Sequence, residues 1–393
     1  MRAGVARVGK PGWVGLRPLL PMLVIAVAVA GVAGTLDMLR LAANRLVVGT
    51  PVGAEIFGQS GWLIAGLSLL GGGFLGARSS RPAALAALVT FCAALMLLSL
   101  TLCTAASDLI AWQPPAARAR LASGAWTALV LLTAATIWAA GRTGLRRAGW
   151  FTAAGLTTAV LLVYRSGAYD GLSLAVEYRA RAAAVQAALV QHVALSAAAV
   201  VLAAMSCALL YLWRAGRGAI KIAINGLQVV PAVALLGGLV ALVSGVLAAI
   251  PGLRAVGLSA LGAGPAILAI AAYLLLPFWR GLEGALRAAE PESVDAATAI
   301  GLTPRQILLE LRLPIGTPIL VGALRVASVQ AIGLATLGAL VGAGGLGGIV
   351  FDGMAQFAPD LILLGALPVI GLSLVVERGL SVVEDWARRS QRG

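Results

Sequence analysis

The chain carries a succession of uncharged apolar runs, each long enough to cross a bilayer. Residues 83–106 read AALAALVTFCAALMLLSLTLCTAA without one charge, and a run of about 18 or more such residues is the mark of a transmembrane helix. Ten candidate spans follow one another, near 18–36, 62–77, 83–106, 124–140, 149–164, 187–213, 222–249, 255–279, 316–338 and 361–383. A water-soluble fold is excluded. Hydrophobic residues make up 60% of the 393 and charged residues 11%, against roughly 45–50% and 25% in soluble domains. Aromatics are only 5% and glycines number 49, the small-residue mixture with which helices pack in lipid. The expected fold is an all-α polytopic membrane protein with about ten transmembrane helices.

The net charge is +14, from 29 basic and 15 acidic residues. In a soluble chain this would suggest nucleic acid, but here the basic residues fill short gaps between apolar runs and read as topology signals. No nucleic-acid partner is expected. With the N-terminus in the cytoplasm, 20 of the 29 basic residues fall inside, so the positive-inside rule places both termini there. The first span follows a basic leader and contains Ala28-Val29-Ala30, which also fits a cleaved signal peptide; the retained helix is the expectation carried forward. Cys92, Cys103 and Cys207 lie within apolar stretches, with neither metal-site nor disulfide spacing. They read as small core residues, and neither a metal nor a cofactor is expected.

Two blocks emerge. Residues 1–185 hold five spans, with small outer loops at 37–61, 107–123 and 165–186 and no motif attached to chemistry. Residues 186–388 hold five more and one long charged segment on the inner side, 280–315, reading RGLEGALRAAEPESVDAATAIGLTPRQILLELRLPI. Pro291 suits the first position of a helix over about 291–300 and Gly301 its C-terminal stop. Thr303 caps the next helix at Pro304, with Gln306 three residues on as in a capping box. Pro314 should break the chain before the next span. Ala296, Ala297 and Ala299 flank Asp295 and keep the first helix low in profile, as suits docking against another protein. A surface connector lying on the lipid headgroups fits the same features.

Asp295-Ala296-Ala297, three residues, Gly301, nine residues, Leu311, one residue, then Leu313-Pro314 resembles the EAA loop of binding-protein-dependent ABC importer permeases. Asp295 stands where that pattern has Glu and Leu311 where it has Ile, with the spacing intact. The stretch INGLQVVPAVALL at 224–236 resembles the corresponding helix of the glycine betaine, carnitine and choline permeases. IGLATLGALVGAGGLG at 332–347 is similar to another of their stretches. The resemblance covers about half of the chain. It implies a type I ABC importer permease unit, similar to the methionine-importer permease, formed by the C-terminal five helices in a bacterial inner membrane. It further implies a cytoplasmic ATPase docked on Asp295, Ala296, Ala297, Gly301, Leu311, Leu313 and Pro314, an extracytoplasmic solute-binding protein, and a second permease subunit, identical or related. The N-terminal block lies outside the common unit and reads as accessory.

Other features admit two readings. Gly342, Gly344, Gly345 and Gly347 match the dinucleotide fingerprint, but that has meaning only between a strand and a helix. They are expected instead to break a helix beside the translocation path, where irregular backbone is covered, with simple helix packing as the rival. Pro231 sits in a betaine-permease-like stretch and joins the path candidates. Arg325 falls mid-span, where a charge needs a partner or an aqueous cavity; Glu310 and Asp352 lie at opposite ends of its region, and no pairing follows from sequence. His192, the sole histidine, reads as an interfacial hydrogen-bonder. Tyr211, Trp213, Tyr273 and Trp279 lie mostly at span ends, so no aromatic cage for a quaternary ammonium group is inferred.

The leading expectation is the permease of an ATP-driven compatible-solute importer. It is not an enzyme itself, since G-x-x-x-x-G-K-[ST] occurs nowhere in the sequence. A methionine-type permease is the alternative within the class. A secondary transporter should show paired broken helices and intramembrane acids, and an intramembrane protease a nucleophile motif beside histidine; neither pattern is evident.

Overall fold

A computed structural model describes residues 20–44, 47–77, 80–145, 148–255 and 257–391. Arg2, Arg7, Lys10, Arg17, Arg45, Arg78, Arg146, Arg147 and Arg392, which enter the orientation count, lie outside the described residues, as does the start of the first expected span. Two compact units divide the chain, 1–179 and 180–393.

In the first unit the order is α1 (Leu20–Thr35), β1 (Leu39–Ala42), β2 (Thr50–Val52), α2 (Gly58–Ala77), α3 (Arg81–Ile110), β3 (Arg118–Leu121), α4 (Ser123–Arg142) and α5 (Ala148–Arg165). α3 is the centre, packed between α2 and α4. Its Ala87, Phe91, Ala94, Leu98 and Leu102 recur every three or four residues and are all buried, a helical stripe facing the core. Arg142 and Arg165 close α4 and α5, where cations offset the helix dipole. Short strands in the loops at 37–61 and 107–123 form an antiparallel sheet ordered β2-β1-β3. Arg40 faces Arg120 across it, a like-charge pair that is unfavourable unless each finds another partner. Arg40 pairs with Asp37 at 3.1 Å, and Arg120 donates to the Val47 carbonyl at 3.2 Å.

The last helix to begin in the first unit, α6 (Ser173–Leu212), runs into the second and departs from helical geometry at Arg181 (φ −133, ψ 18). There follow α7 (Arg217–Leu227), α8 (Ala232–Ala249), the single turn α9 (Gly252–Ala255), α10 (Ala263–Leu286), α11 (Pro291–Ala299), α12 (Pro304–Gln306), α13 (Leu313–Ala335), α14 (Leu346–Ala355) and α15 (Pro359–Ser390). Ala199, Ala203, Leu274, Ala327, Ala331 and Ala335 form the heart of this unit, each fully buried. Small side chains let the backbones approach: a Cβ on Gly281 would lie 2.2 Å from that of Ala323, where α10 crosses α13.

Ten spans were expected, and fewer helices than that qualify among the described residues. Seven of these helices are long and apolar enough to cross a membrane; α1, α2 and α5, with 16, 20 and 18 residues, are not among them. The span expected over 222–249 is two helices, α7 and α8, separated at residues 228–231. Pro231 lacks an amide hydrogen and holds the residue before it away from helical geometry. The span expected from 255 begins at Ala263. Cys103 and Cys207 are core residues, whereas Cys92 is half-buried.

Candidate functional site

α11 begins at Pro291, whose missing donor costs nothing at a helix start, and ends at Ala299, with Ile300 as its C-cap. Gly301 follows with φ +89. Its amide donates to the Thr298 carbonyl (3.0 Å) and that of Leu302 to Ala297 (3.1 Å). These two bonds are a Schellman stop, which requires a left-handed residue at the glycine. The capping box then forms as expected: the Gln306 amide donates to Thr303 Oγ1 (3.3 Å), and the Thr303 amide to Gln306 Oε1 (2.9 Å). Two opposed helix ends thus meet across three residues, and the backbone groups there are satisfied locally.

Asp295, Ala296 and Ala299 face outward, whereas Ala297 is buried against its own chain. The outward surface gains Ile300 instead, 78% exposed although apolar. Leu311 and Leu313 are half-buried and Pro314 is exposed. Pro314 does not break the chain as expected. The helix runs unbroken over Pro304–Val341, through a π-helical turn at Ile307–Arg312. The wider π turn takes up the carbonyl that proline cannot bond and its ring would crowd. Gln391 Nε2 donates to the Pro314 and Ile315 carbonyls (2.6 and 3.0 Å), tying the end of α15 to the start of α13.

At the other end of α13 the chain tightens into a 3-10 turn over Thr336–Val341. Gly342, Gly344 and Gly345 follow with φ +78, +75 and +75 before α14 begins, so the expected helix break is present. Gly347 admits no side chain, since a Cβ would sit 2.0 Å from the Thr336 carbonyl oxygen. Gln191 of α6 holds the loop from both sides: its Nε2 donates to the Ala343 carbonyl (2.9 Å), and its Oε1 accepts from the Gly345 amide (3.1 Å). His192 is 0% exposed, packed inside the second unit. Its Nε2 lies 3.0 Å from the Ile332 carbonyl, so that nitrogen carries the proton. Replacing Gln191 by leucine strands both backbone groups and should cost about 1–3 kcal/mol, read as a lowered unfolding temperature in detergent. A change within about 0.5 kcal/mol, the scale of ordinary surface substitutions, would mean that the loop holds itself.

Pro231 caps α8, and the break before it is pinned to α10. The Tyr273 hydroxyl donates to the Val230 carbonyl, and Gln228 Nε2 to the Tyr273 carbonyl (2.9 Å). Arg325 sits twelve positions into α13, about 18 Å along the axis from Leu313. Its partners are neither Glu310 nor Asp352. Nη1 lies 2.7 Å from Glu377 and Nε 3.2 Å from Glu384, both on α15, while Arg388 reaches Glu384 at 2.5 Å. Arg325 thus belongs to a four-membered ion cluster, the ion pairing that the sequence left open. Gln191, Tyr273 and Glu377 carried no local signal, because each acts on a partner 43 or more residues away. Among the described residues no cluster of His, Cys, Asp and Glu gathers as a metal site.

Residues 199–389 match the family described as binding-protein-dependent transport system inner membrane component, and residues 17–175 the N-terminal domain of the ABC transporter permease YehY. The carnitine transport permease protein OpuCB of Listeria monocytogenes is 37% identical over 120 residues, 30% of this chain and 55% of that protein. The choline transport system permease protein OpuBB of Bacillus subtilis is 28% identical over 198 residues, 49% of this chain and 84% of that protein. A solved inward-facing structure of the MetNI methionine ABC transporter aligns with a TM-score of 0.45 at 20% identity, over 52% of this chain and 95% of that one. Each block answers to its own part of a permease, and the chain belongs to the inner-membrane permease components of binding-protein-dependent ABC importers.

Proposed function

We propose that this permease forms the translocation path of an ATP-driven importer of compatible solutes of the glycine betaine, carnitine and choline type. The observation that carries the coupling is α11: a helix stopped by Gly301, followed at once by a capped helix leading unbroken into α13, with Asp295, Ala296 and Ile300 turned outward. A cytoplasmic ATPase would take α11 in a groove, and its closure on nucleotide would pull on α13 through the π turn. The related permeases named for choline and carnitine support the solute class. An extracytoplasmic binding protein would deliver the solute, and a second permease subunit would complete the path. Both termini lie in the cytoplasm, the N-terminal block is accessory to the path, and hydrolysis belongs to the ATPase alone. Asp295, Leu311, Leu313 and Pro314 shape the coupling element, while Pro231 and the 342–347 loop border the path.

Reconstitution with the ATPase and binding protein tests this. Radiolabelled glycine betaine or choline should enter vesicles only when ATP and all three components are present. Uptake driven by an ion gradient with the ATPase omitted would contradict the proposal.

A further inference from the structure

The glycine stop of α11 has a counterpart made without glycine. α14 ends at Ala355; the Phe357 amide donates to the Met354 carbonyl (3.2 Å) and that of Ala358 to Gly353 (2.8 Å). This is the same pair of bonds as at Gly301, and it again requires a left-handed residue. Here that residue is Phe357, at φ +51, the single residue other than glycine with positive φ among the described residues. Glycine enters that region freely, whereas a bulky side chain there is a genuine outlier.

The ring adds no packing to offset the strain. Phe357 is 85% exposed, while Gly353 and Ala358 on either side of it are buried. The backbone is therefore fixed and the ring is bare. A residue held in a strained conformation that does not serve the fold points to a use outside it.

The turn lies at the far end of the unit from the coupling element. α14 folds back along α15, with Gly353 admitting Ile362 and Gly365 admitting Val350 closely, so Phe357 stands at the tip of a helical hairpin. From that tip α15 runs 32 residues, about 48 Å and more than the hydrocarbon thickness, to the end that Gln391 ties to the start of α13. Tip and coupling element thus belong to opposite faces of the membrane. Asp352, Gln356 and Asp360 stand within five residues of Phe357, and acids of this kind are expensive in hydrocarbon. At the headgroup level lipid is met by Trp and Tyr, whose rings carry a polar tip. Phe has none. A bare Phe there suits the apolar centre of a protein interface, where aromatic rings are enriched.

We propose, on the reading above that an extracytoplasmic binding protein delivers the solute, that Phe357 is the anchor which this protein receives in an apolar pocket when it docks on the permease.

The permease, its ATPase and its purified binding protein are reconstituted in vesicles, with Phe357 or with Phe357→Gly. Glycine relieves the strain, so the variant should unfold at no lower temperature than the wild type. It should nevertheless hold the binding protein roughly tenfold more weakly, on the scale of an interface hot spot, and lose uptake when that protein is limiting. A lowered unfolding temperature with unchanged affinity would overturn the proposal, since Phe357 would then serve the fold alone. A benzophenone side chain at position 357 should crosslink to the binding protein; adducts confined to phospholipid would make the ring a membrane anchor and overturn it too. Wild-type vesicles that take up no solute with all components present would overturn the delivery reading and the anchor together, whereas wild-type uptake beside an unchanged affinity in Phe357→Gly would overturn the anchor alone.

Discussion

Replacing Arg325 by methionine is expected to lower the stability of the C-terminal block by about 2 kcal/mol, between a solvent-screened ion pair and a fully buried one, since the Arg325 side chain is 28% exposed. The substitution leaves Glu377 without its 2.7 Å partner and Glu384 with Arg388 alone. The two acids should not contribute equally. Glu384 has 9% of its side chain exposed and Glu377 has 39%, so Glu377→Gln should cost no more than about 1 kcal/mol, as for a solvent-screened pair. Arg325→Met combined with Glu384→Leu should cost less than the two single changes added, because the Arg325–Glu384 contact is lost only once and the well-buried Glu384 carboxylate is no longer left short of a partner. Thermal unfolding followed by tryptophan fluorescence measures all four chains. If Arg325→Met proves no worse than Glu377→Gln, the cluster does not join α13 to α15.

Gly301→Val is the second large effect, and it should fall on transport rather than on the membrane fold. At φ +89 a residue with a branched Cβ is strained by about 1–2 kcal/mol or more. Relief comes by turning the residue out of the left-handed region, which breaks the bonds from Gly301 to Thr298 and from Leu302 to Ala297. α11 then loses its stop and its direction. No protein atom lies within 4 Å of the missing Cβ, so the effect is conformational rather than a clash. The variant should reach the membrane at a normal level, bind the ATPase weakly and lose ATP-driven uptake. Gly301→Asn, which tolerates left-handed geometry better, should retain most of it. Equal loss in both variants would mean that the open space beside residue 301 matters and not its φ.

Features written in short-range chemistry were legible in the sequence. Apolar runs located the spans. Pro291, Gly301, Thr303 and Gln306 each act within three residues of themselves, and the turn they predict is the turn observed. The glycines at 342–347 likewise announced a break in a helix. What sequence could not reveal depends on distant partners or on facing. Arg325 meets acids 52 and 59 residues away, and Gln191 clamps a loop more than 150 residues on. In a nine-residue helix with alanine on several sides, nothing local shows that Ala297 turns inward while Ala296 turns outward. Pro314 was misleading because a π turn absorbs it. Pro231 was hidden because the apolar run continues through it. Strands of three and four residues are too short for an alternating pattern to declare itself.

The most direct measurement is a site-specific photocrosslink from the outward face of α11 to the ATPase in native membranes. A benzophenone side chain at Ala296 should give an adduct with the ATPase whose yield changes when ATP is added, as the groove closes on the helix. The same group at Leu258, exposed in the loop before α10, should give none, since that loop is expected on the opposite side of the membrane. An adduct at Leu258, or no adduct at Ala296 in membranes that still take up solute on ATP, would contradict the assignment of α11 as the element that couples hydrolysis to transport.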